Sequence, residues 1–230
     1  MIFIKVITTQ RRKKSFRVAL MKVPDIKFYS EKTRKFYSLI KTSTWPTVKV
    51  SGIFMHRVKD VDPRTDSILK IKALGSIEGI GLDTCSGLGY TSILSARKTK
   101  VEKIITIEKD ENMIKIAKLN PYSKEFFTNP KIELIIGDSY EEIRKFPDEY
   151  FNFIIHDPPR ISIAGELYSL EFYKQLLRVL KKGGKLFHYT GKPGKRQGKN
   201  YTKGIFLRLR QAGFKKAERV DYANGLVCFK

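Results

Sequence analysis

From about residue 78 to the end, short apolar runs alternate with amphipathic stretches in a regular βα rhythm. Strands are predicted at 79–84, 103–108, 132–137, 151–156 and 185–189. Helical spacing of apolar positions follows at 90–97, 110–119, 140–146, 170–181 and 203–212, the last stopped by Gly213. Two further strands, 217–222 and 226–230, flank Ala223-Asn224-Gly225, a strong hairpin turn. Five βα units and a terminal hairpin imply a mostly parallel sheet with one antiparallel strand. The first 75 residues lack this rhythm. Alternation at 2–7 and 16–23 suggests strands, 11–14 a turn, 27–40 a short helix, 42–53 a loop and strand, and 66–74 a helix. The expected organisation is a small α+β or β-rich domain over 1–75, recognising substrate, and a larger α/β domain over 76–230.

Composition narrows the class. A hydrophobic content of 41% over 230 residues supports a substantial core. No run of 18 apolar residues occurs, and the N-terminal charges follow rather than precede the apolar residues, so a cytoplasmic protein with no membrane partner is expected. Two cysteines and three histidines, without ligand spacing, predict neither a disulfide framework nor a metal site. Charge is the extreme property: 46 basic against 23 acidic residues, a net +23. Residues 1–75 hold 18 basic and 5 acidic residues, and 172–217 hold 14 basic and none acidic. Two basic blocks flanking a more balanced middle predict a polyanionic partner, with nucleic acid foremost.

That middle contains Gly81-Leu-Asp-Thr-Cys-Ser-Gly-Leu-Gly-Tyr-Thr-Ser92, read as strand, tight turn and helix start. Gly87 and Gly89 let a ligand lie against backbone. A phosphate-cradling loop would need a Lys where Tyr90 stands, and Asp83 would repel a pyrophosphate. Ligands of open α/β sheets sit beyond the carboxyl ends of the strands, and here four successive ends carry carboxylates: Asp83, Glu108, Asp138 and Asp157. Glu108 falls where an acidic residue binds ribose hydroxyls, Asp138 can accept from an adenine amine, and Asp83 suits an ammonium group. Ribose, adenine and an amino-acid tail together describe S-adenosylmethionine. Thr84, Ser86, Tyr90 and Thr91 beside the glycines, Lys109, Ser139 and His156 beside the carboxylates, are expected to complete that cofactor site.

With these motifs assembled, 78–230 resembles the class I S-adenosylmethionine-dependent methyltransferases, which implies a Rossmann-like seven-stranded sheet of order 3-2-1-4-5-7-6. DTCSGLGYTS, TIEKD, IIGDS, IIHDPPR, AGELYS and LFHYTGKPGKR, with SGIFMHR at 51–57, look like a family of archaeal methyltransferases. His156-Asp157-Pro158-Pro159-Arg160 is similar to the (Asp/Asn/Ser)-Pro-Pro-(Tyr/Phe) motif of enzymes that methylate planar amino groups. That motif implies hydrogen bonds from the amine to the Asp157 carboxylate and the Pro158 carbonyl; Pro159 stiffens the rim, and Arg160 replaces the aromatic that stacks on the base. Tyr168, Tyr189 or Phe54 could stack instead. His188 and Tyr189, with Lys192, Lys195 and Arg196 in the following Gly/Lys loop, are candidate substrate contacts, the lysines and arginine suiting phosphates. His56 and Arg57 join them by resemblance.

The expectation is therefore an RNA methyltransferase acting on an exocyclic base amine of ribosomal or transfer RNA, with cytosine N4 slightly favoured. Two other enzymes compete: an aminopropyltransferase making polyamines from decarboxylated S-adenosylmethionine, and a protein N-methyltransferase. A non-enzymatic RNA-binding protein with a relic cofactor site is the remaining reading.

Overall fold

In the computed structural model, residues 21–191 and 198–230 are described. The strands and turn expected within 1–20 lie outside that range, as do Lys192, Lys195 and Arg196. The chain builds two sheets. The first has four antiparallel strands in sequential order: β1 (Lys27–Ser30), β2 (Lys35–Ile40), β3 (Thr47–Val50) and β4 (Ile53–Phe54). Helix α1 (Pro63–Leu74) leads into β5 (Gly79–Asp83), α2 (Tyr90–Ala96), β6 (Val101–Glu108), α3 (Glu111–Leu119), α4 (Lys124–Thr128) and β7 (Ile132–Ile136). The order then continues with α5 (Ser139–Glu142), β8 (Phe151–His156), α6 (Leu170–Val179), β9 (Leu180–Tyr189), α7 (Gly198–Ala212), β10 (Lys216–Val220) and β11 (Gly225–Phe229).

The second sheet runs β10-β11-β9-β8-β5-β6-β7. Counted from β5, this is the expected 3-2-1-4-5-7-6 order read from the other edge. Strands β5 to β9 are parallel, and β11 enters antiparallel between β9 and β10. Both faces are covered, so the central strands bury successive residues on opposite sides. Ile154 packs with Leu82, Phe172 and Leu176 of the face under α6. Its neighbours Phe153 and Ile155 pack with Ile71 and Leu74 of α1 on the other.

Two local readings are corrected. The segment 27–40 is the β1–β2 hairpin, not a helix. Phe28 and Tyr37 are cross-strand partners with stacked rings 5.2 Å apart, and the turn is made by Arg34 at φ 52°. The short helices after Asn120 were not anticipated; Asn120 caps the first of them, its side chain accepting from Tyr122 N.

The small sheet shares its core with the large one. Tyr37, Leu39, Trp45 and Val48 pack against Leu88, Tyr90, Met113 and Ile116. The Tyr90 hydroxyl donates to the Pro46 carbonyl at 2.8 Å, and Tyr37 donates to Asp110 at 2.6 Å. This packing sets the strands of the small sheet over the carboxyl ends of β5 and β6. No helix among the described residues is long and apolar enough to cross a membrane.

Close approach sets the tolerance of the central strand. A Cβ at Gly81 would lie 2.2 Å from the Phe153 ring on β8. Gly81→Ala is expected to destabilise the fold by about 1–3 kcal/mol through overpacking, read as a lower urea midpoint with unchanged slope.

Candidate active site

Beyond the carboxyl ends of β5, β6 and β8, under the strand edges and following strap of the small sheet, lies a cavity of about 1290 Å³. Its floor is the glycine turn. Backbone hydrogen bonds from Thr84 N to Ile155 O and from Ser86 N to Ile107 O tie the turn to both neighbouring strands at 3.0 Å. Gly89 caps α2 with φ 78°, and a Cβ there would lie 2.3 Å from Phe126. Gly87, at φ 54°, faces open space instead, its nearest atom being Met113 Cε at 3.9 Å. Ser86 Oγ is buried with no protein partner. A bare glycine and an orphaned hydroxyl on a cavity floor fit a ligand that brings its own polar groups.

The four strand-end carboxylates are all present, but each meets a different partner. Asp83 is fully buried and does not line the cavity. Its Oδ2 accepts from Thr91 Oγ1 at 2.6 Å and Ser92 Oγ at 2.8 Å, so it clasps the loop onto α2. Burial raises its pKa against those hydrogen bonds. Glu108 lines the cavity, accepting from Gly87 N and Asp110 N, each at 2.8 Å. Burial outweighs these donors and pushes its carboxyl up to about 7. Asp138 caps α5 through Tyr140 N and pairs with Lys109 Nζ at 2.5 Å on the cavity rim. Ser139 Oγ donates to the Thr84 carbonyl from below.

Asp157 follows the end of β8 and lines the cavity. Its Oδ2 meets Lys70 Nζ at 2.5 Å, and the Lys70 ammonium also lies 2.9 Å from Asp66 Oδ2. Lys70 and Asp66 come from α1 and were missed in the sequence reading. An Asp and a Lys four apart on a helix usually mark a solvated face; only the packing of α1 reveals that Asp66, Ser67 and Lys70 point inward.

The remaining candidates divide. Pro158, Pro159, Arg160, Tyr168 and Tyr189 line the cavity. Tyr168 donates to the Pro159 carbonyl at 2.9 Å, and Arg160 is exposed at the mouth. His56 and Arg57 form the opposite wall. His56 Nδ1 is 2.9 Å from Thr47 Oγ1, and burial pushes its pKa down to about 4. Arg57 donates to the Tyr222 carbonyl at 2.9 Å, joining the strap to the C-terminal hairpin. His156 and His188 are wholly buried beneath the site, rings 4.5 Å apart. His156 Nε2 donates to the Leu167 carbonyl, which leaves Nδ1 to accept from Thr84. Burial pushes His156 down to about 3, so it is a neutral strut. Among the described residues no group of His, Cys, Asp or Glu is placed to hold a metal.

Charge around the cavity differs from charge over the whole chain. Seven carboxylates and eight Lys or Arg side chains line it, against 23 and 46 in the chain. The share of acidic residues is therefore higher at the cavity than in the chain as a whole.

The seven-stranded sheet and its neighbours define an α/β fold of the methyltransferase-like type. The profile of the Spermine/spermidine synthase domain matches residues 90–222, and the chain belongs to that family of enzymes. A Methanocaldococcus jannaschii protein described as uncharacterized is 50% identical over 197 residues, 85% of this chain and 67% of that one. Putrescine N-methyltransferase 2 of Nicotiana tabacum is 27% identical over 169 residues, 71% of this chain and 48% of the plant enzyme. The chain thus spans about half the length of that relative. Among solved structures, a spermidine synthase in complex with the transition state analogue AdoDATO superposes with a TM-score of 0.71 at 19% identity, over 88% of this chain and 71% of that one. Spermidine synthase from Thermotoga maritima gives 0.68 at 18% identity, over 88% and 70%. These likenesses show a shared fold.

The family overturns three expectations. The HDPPR segment does not place the chain among base-amine methyltransferases, RNA methylation is not its activity, and RNA is not the indicated partner; the family acts on small molecules. The misreading came from taking net charge as a description of the site, whereas the cavity wall is richer in carboxylates than the chain as a whole.

Glu108 offers a direct test of the ribose assignment. Sugar hydroxyls donate to the ionised carboxylate, and a carboxyl near 7 is partly protonated at neutral pH, so donor binding expels a proton. Donor affinity in calorimetric titrations is expected to rise as pH increases through about 7 and then level. Glu108→Gln should flatten that dependence and weaken binding; a Gln variant with wild-type affinity would exclude the role.

Proposed function

We propose that this chain is an aminopropyltransferase-like enzyme that alkylates an amine nitrogen of a small polyamine. The donor is an adenosylsulfonium compound, decarboxylated S-adenosylmethionine in the leading case. Asp157 carries the reading: a carboxylate at the end of the strand beside the glycine floor, with only Oδ2 held by Lys70 and its side chain 20% exposed. A polyamine nitrogen is protonated near neutral pH and must lose that proton before it attacks. Asp157 orients the ammonium and receives the proton. The nitrogen lone pair then forms the new C–N bond, the C–S bond breaks, and its electron pair stays on sulfur as a neutral thioether.

A wall where seven carboxylates nearly match eight basic side chains, in a chain with twice as many basic as acidic residues, supports an acceptor that is cationic. Glu108 and the bare Gly87 backbone hold the donor's nucleoside, while Asp83, Thr91 and Ser92 keep the turn in shape without touching it. Holding donor and acceptor in line supplies about 7–11 kcal/mol of the barrier at most, so a carboxylate suffices as base.

A second reading, methyl transfer to a polyamine from S-adenosylmethionine, is favoured by the similarity to putrescine N-methyltransferases over 71% of the chain. Both are decided by incubating the protein with each donor and a panel of di- and triamines, then weighing the products. An aminopropylated amine is expected. Asp157→Asn should lower kcat by about 10²–10⁴-fold, the contribution typical of general acid–base catalysis, with donor affinity unchanged. No transfer to any polyamine from either donor, or full activity in the Asn variant, would defeat the proposal.

A further inference from the structure

Behind Asp157 runs a line of four charged side chains taken from three places in the chain. Arg57 Nη1, in the strap after β4, lies 3.6 Å from Asp66 Oδ1. Asp66 and Lys70 occupy successive turns of α1, and Lys70 reaches Asp157 at the end of β8. Lys70 Nζ also sits 4.7 Å from the centre of the Tyr189 ring, at the end of β9. Asp66 is fully buried, and the Lys70 side chain is 2% exposed. An ammonium so placed loses nearly all its hydration, a cost that pairing barely recovers. An apolar side chain of similar length would fill this position on α1 with no such cost. Packing therefore does not account for a lysine here, whereas the chemistry at Asp157 does.

We propose that Lys70 is a positioning residue for Asp157: by gripping Oδ2 it keeps the carboxylate ionised and leaves Oδ1 turned to the acceptor. Asp66 is the counter-charge that keeps Lys70 in place, and Arg57 pairs with Asp66 from the other side. This rests on Asp157 being the group that takes the acceptor's proton.

The surroundings of Asp157 make the grip necessary. Burial raises its pKa, and Asp66 from α1 and Asp83 from β5 push the same way. Lys70 is the cation that opposes them. Tyr189 from β9 is a neutral phenol, its pKa raised by burial. His56, from the strap, is held neutral by burial and by Lys70 itself. Lys70 cannot serve as the base: burial would lower its pKa, but Asp157 and Asp66 together outweigh this and hold it well above its usual value.

The test is the pH profile of kcat for the full chain with a polyamine acceptor. Activity that needs ionised Asp157 falls on the acid side as the carboxyl takes up a proton. Lys70→Met is expected to move that acid limb up by about 1–3 pH units, the usual effect of an opposite charge within contact distance. Lys70→Arg should leave it near the wild-type position. Should the Met variant fail to fold, because Asp66 keeps only the longer contact to Arg57, Asp66→Asn/Lys70→Met removes both charges and should still move the limb up, by less, because the Asp66 charge that also raises Asp157 is gone. A uniform loss of rate with an unmoved limb would overturn the proposal. Carbon-13 NMR of aspartate-labelled protein, titrated without substrate and with the Asp157 signal assigned by its absence in Asp157→Asn, gives a readout independent of turnover. A higher Asp157 pKa in the Lys70 variant is expected, and an unchanged one refutes the pairing role. If Asp157→Asn retains full transfer, the functional reading fails, and the NMR titration still decides the Lys70 pair.

Discussion

A carboxylate taken out of water must find hydrogen bonds or a counter-charge, and this single requirement organises the end of the large sheet. Four adjacent strands finish on carboxylates, and each finds a different kind of partner. Asp83 is satisfied by two hydroxyls of α2, Glu108 by two backbone N–H groups, Asp138 by the start of α5 and a surface lysine, and Asp157 by a lysine from a helix outside the βα repeat. The partner determines the job. The hydroxyl-bound group holds a loop in shape, the backbone-bound group lines the cavity, and the lysine-bound group meets its cation at the cavity wall. One residue type at equivalent strand ends thus sits in different environments, and the proposed roles of scaffold, binding group and base follow those differences.

How much of this could be read from the chain depended on whether the signal was local. Period-two and helical spacing located every strand of the large sheet, and Asn224 does turn the last hairpin, in the left-handed region at φ 51°. The β1–β2 hairpin escaped because its turn centres on Arg34, a residue with no turn preference, while the apolar residues of 27–40 also fit a helical face. At the site, the glycine turn and all four carboxylates were visible as candidates. Lys70 and Asp66 were not, because a charged pair four residues apart looks solvent-facing until its helix is packed.

Charge misled for a related reason. Net charge is a property of the sum, and a site is a property of neighbours. Forty-six basic residues outweigh 23 acidic ones, yet the cavity gathers carboxylates out of proportion to their number. The same residues that resembled a base-amine motif, Asp157-Pro158-Pro159, would serve as well, on the proposed function, to present a carboxylate to an aliphatic amine. A short motif specifies the geometry around one group; the identity of the acceptor depends on the rest of the wall.

The opposition between surface and cavity has a kinetic side. A cationic acceptor of the kind proposed would approach through a field set by the basic excess of the chain, and at the cavity would meet seven carboxylates that nearly balance eight basic side chains. At physiological ionic strength fields between exposed charges fade over about 8 Å, so the repulsion is confined to a thin shell while the recessed wall stays effective. Dissolved salt would thereby act as a silent partner of the proposed reaction, lowering the outer barrier to a cationic acceptor.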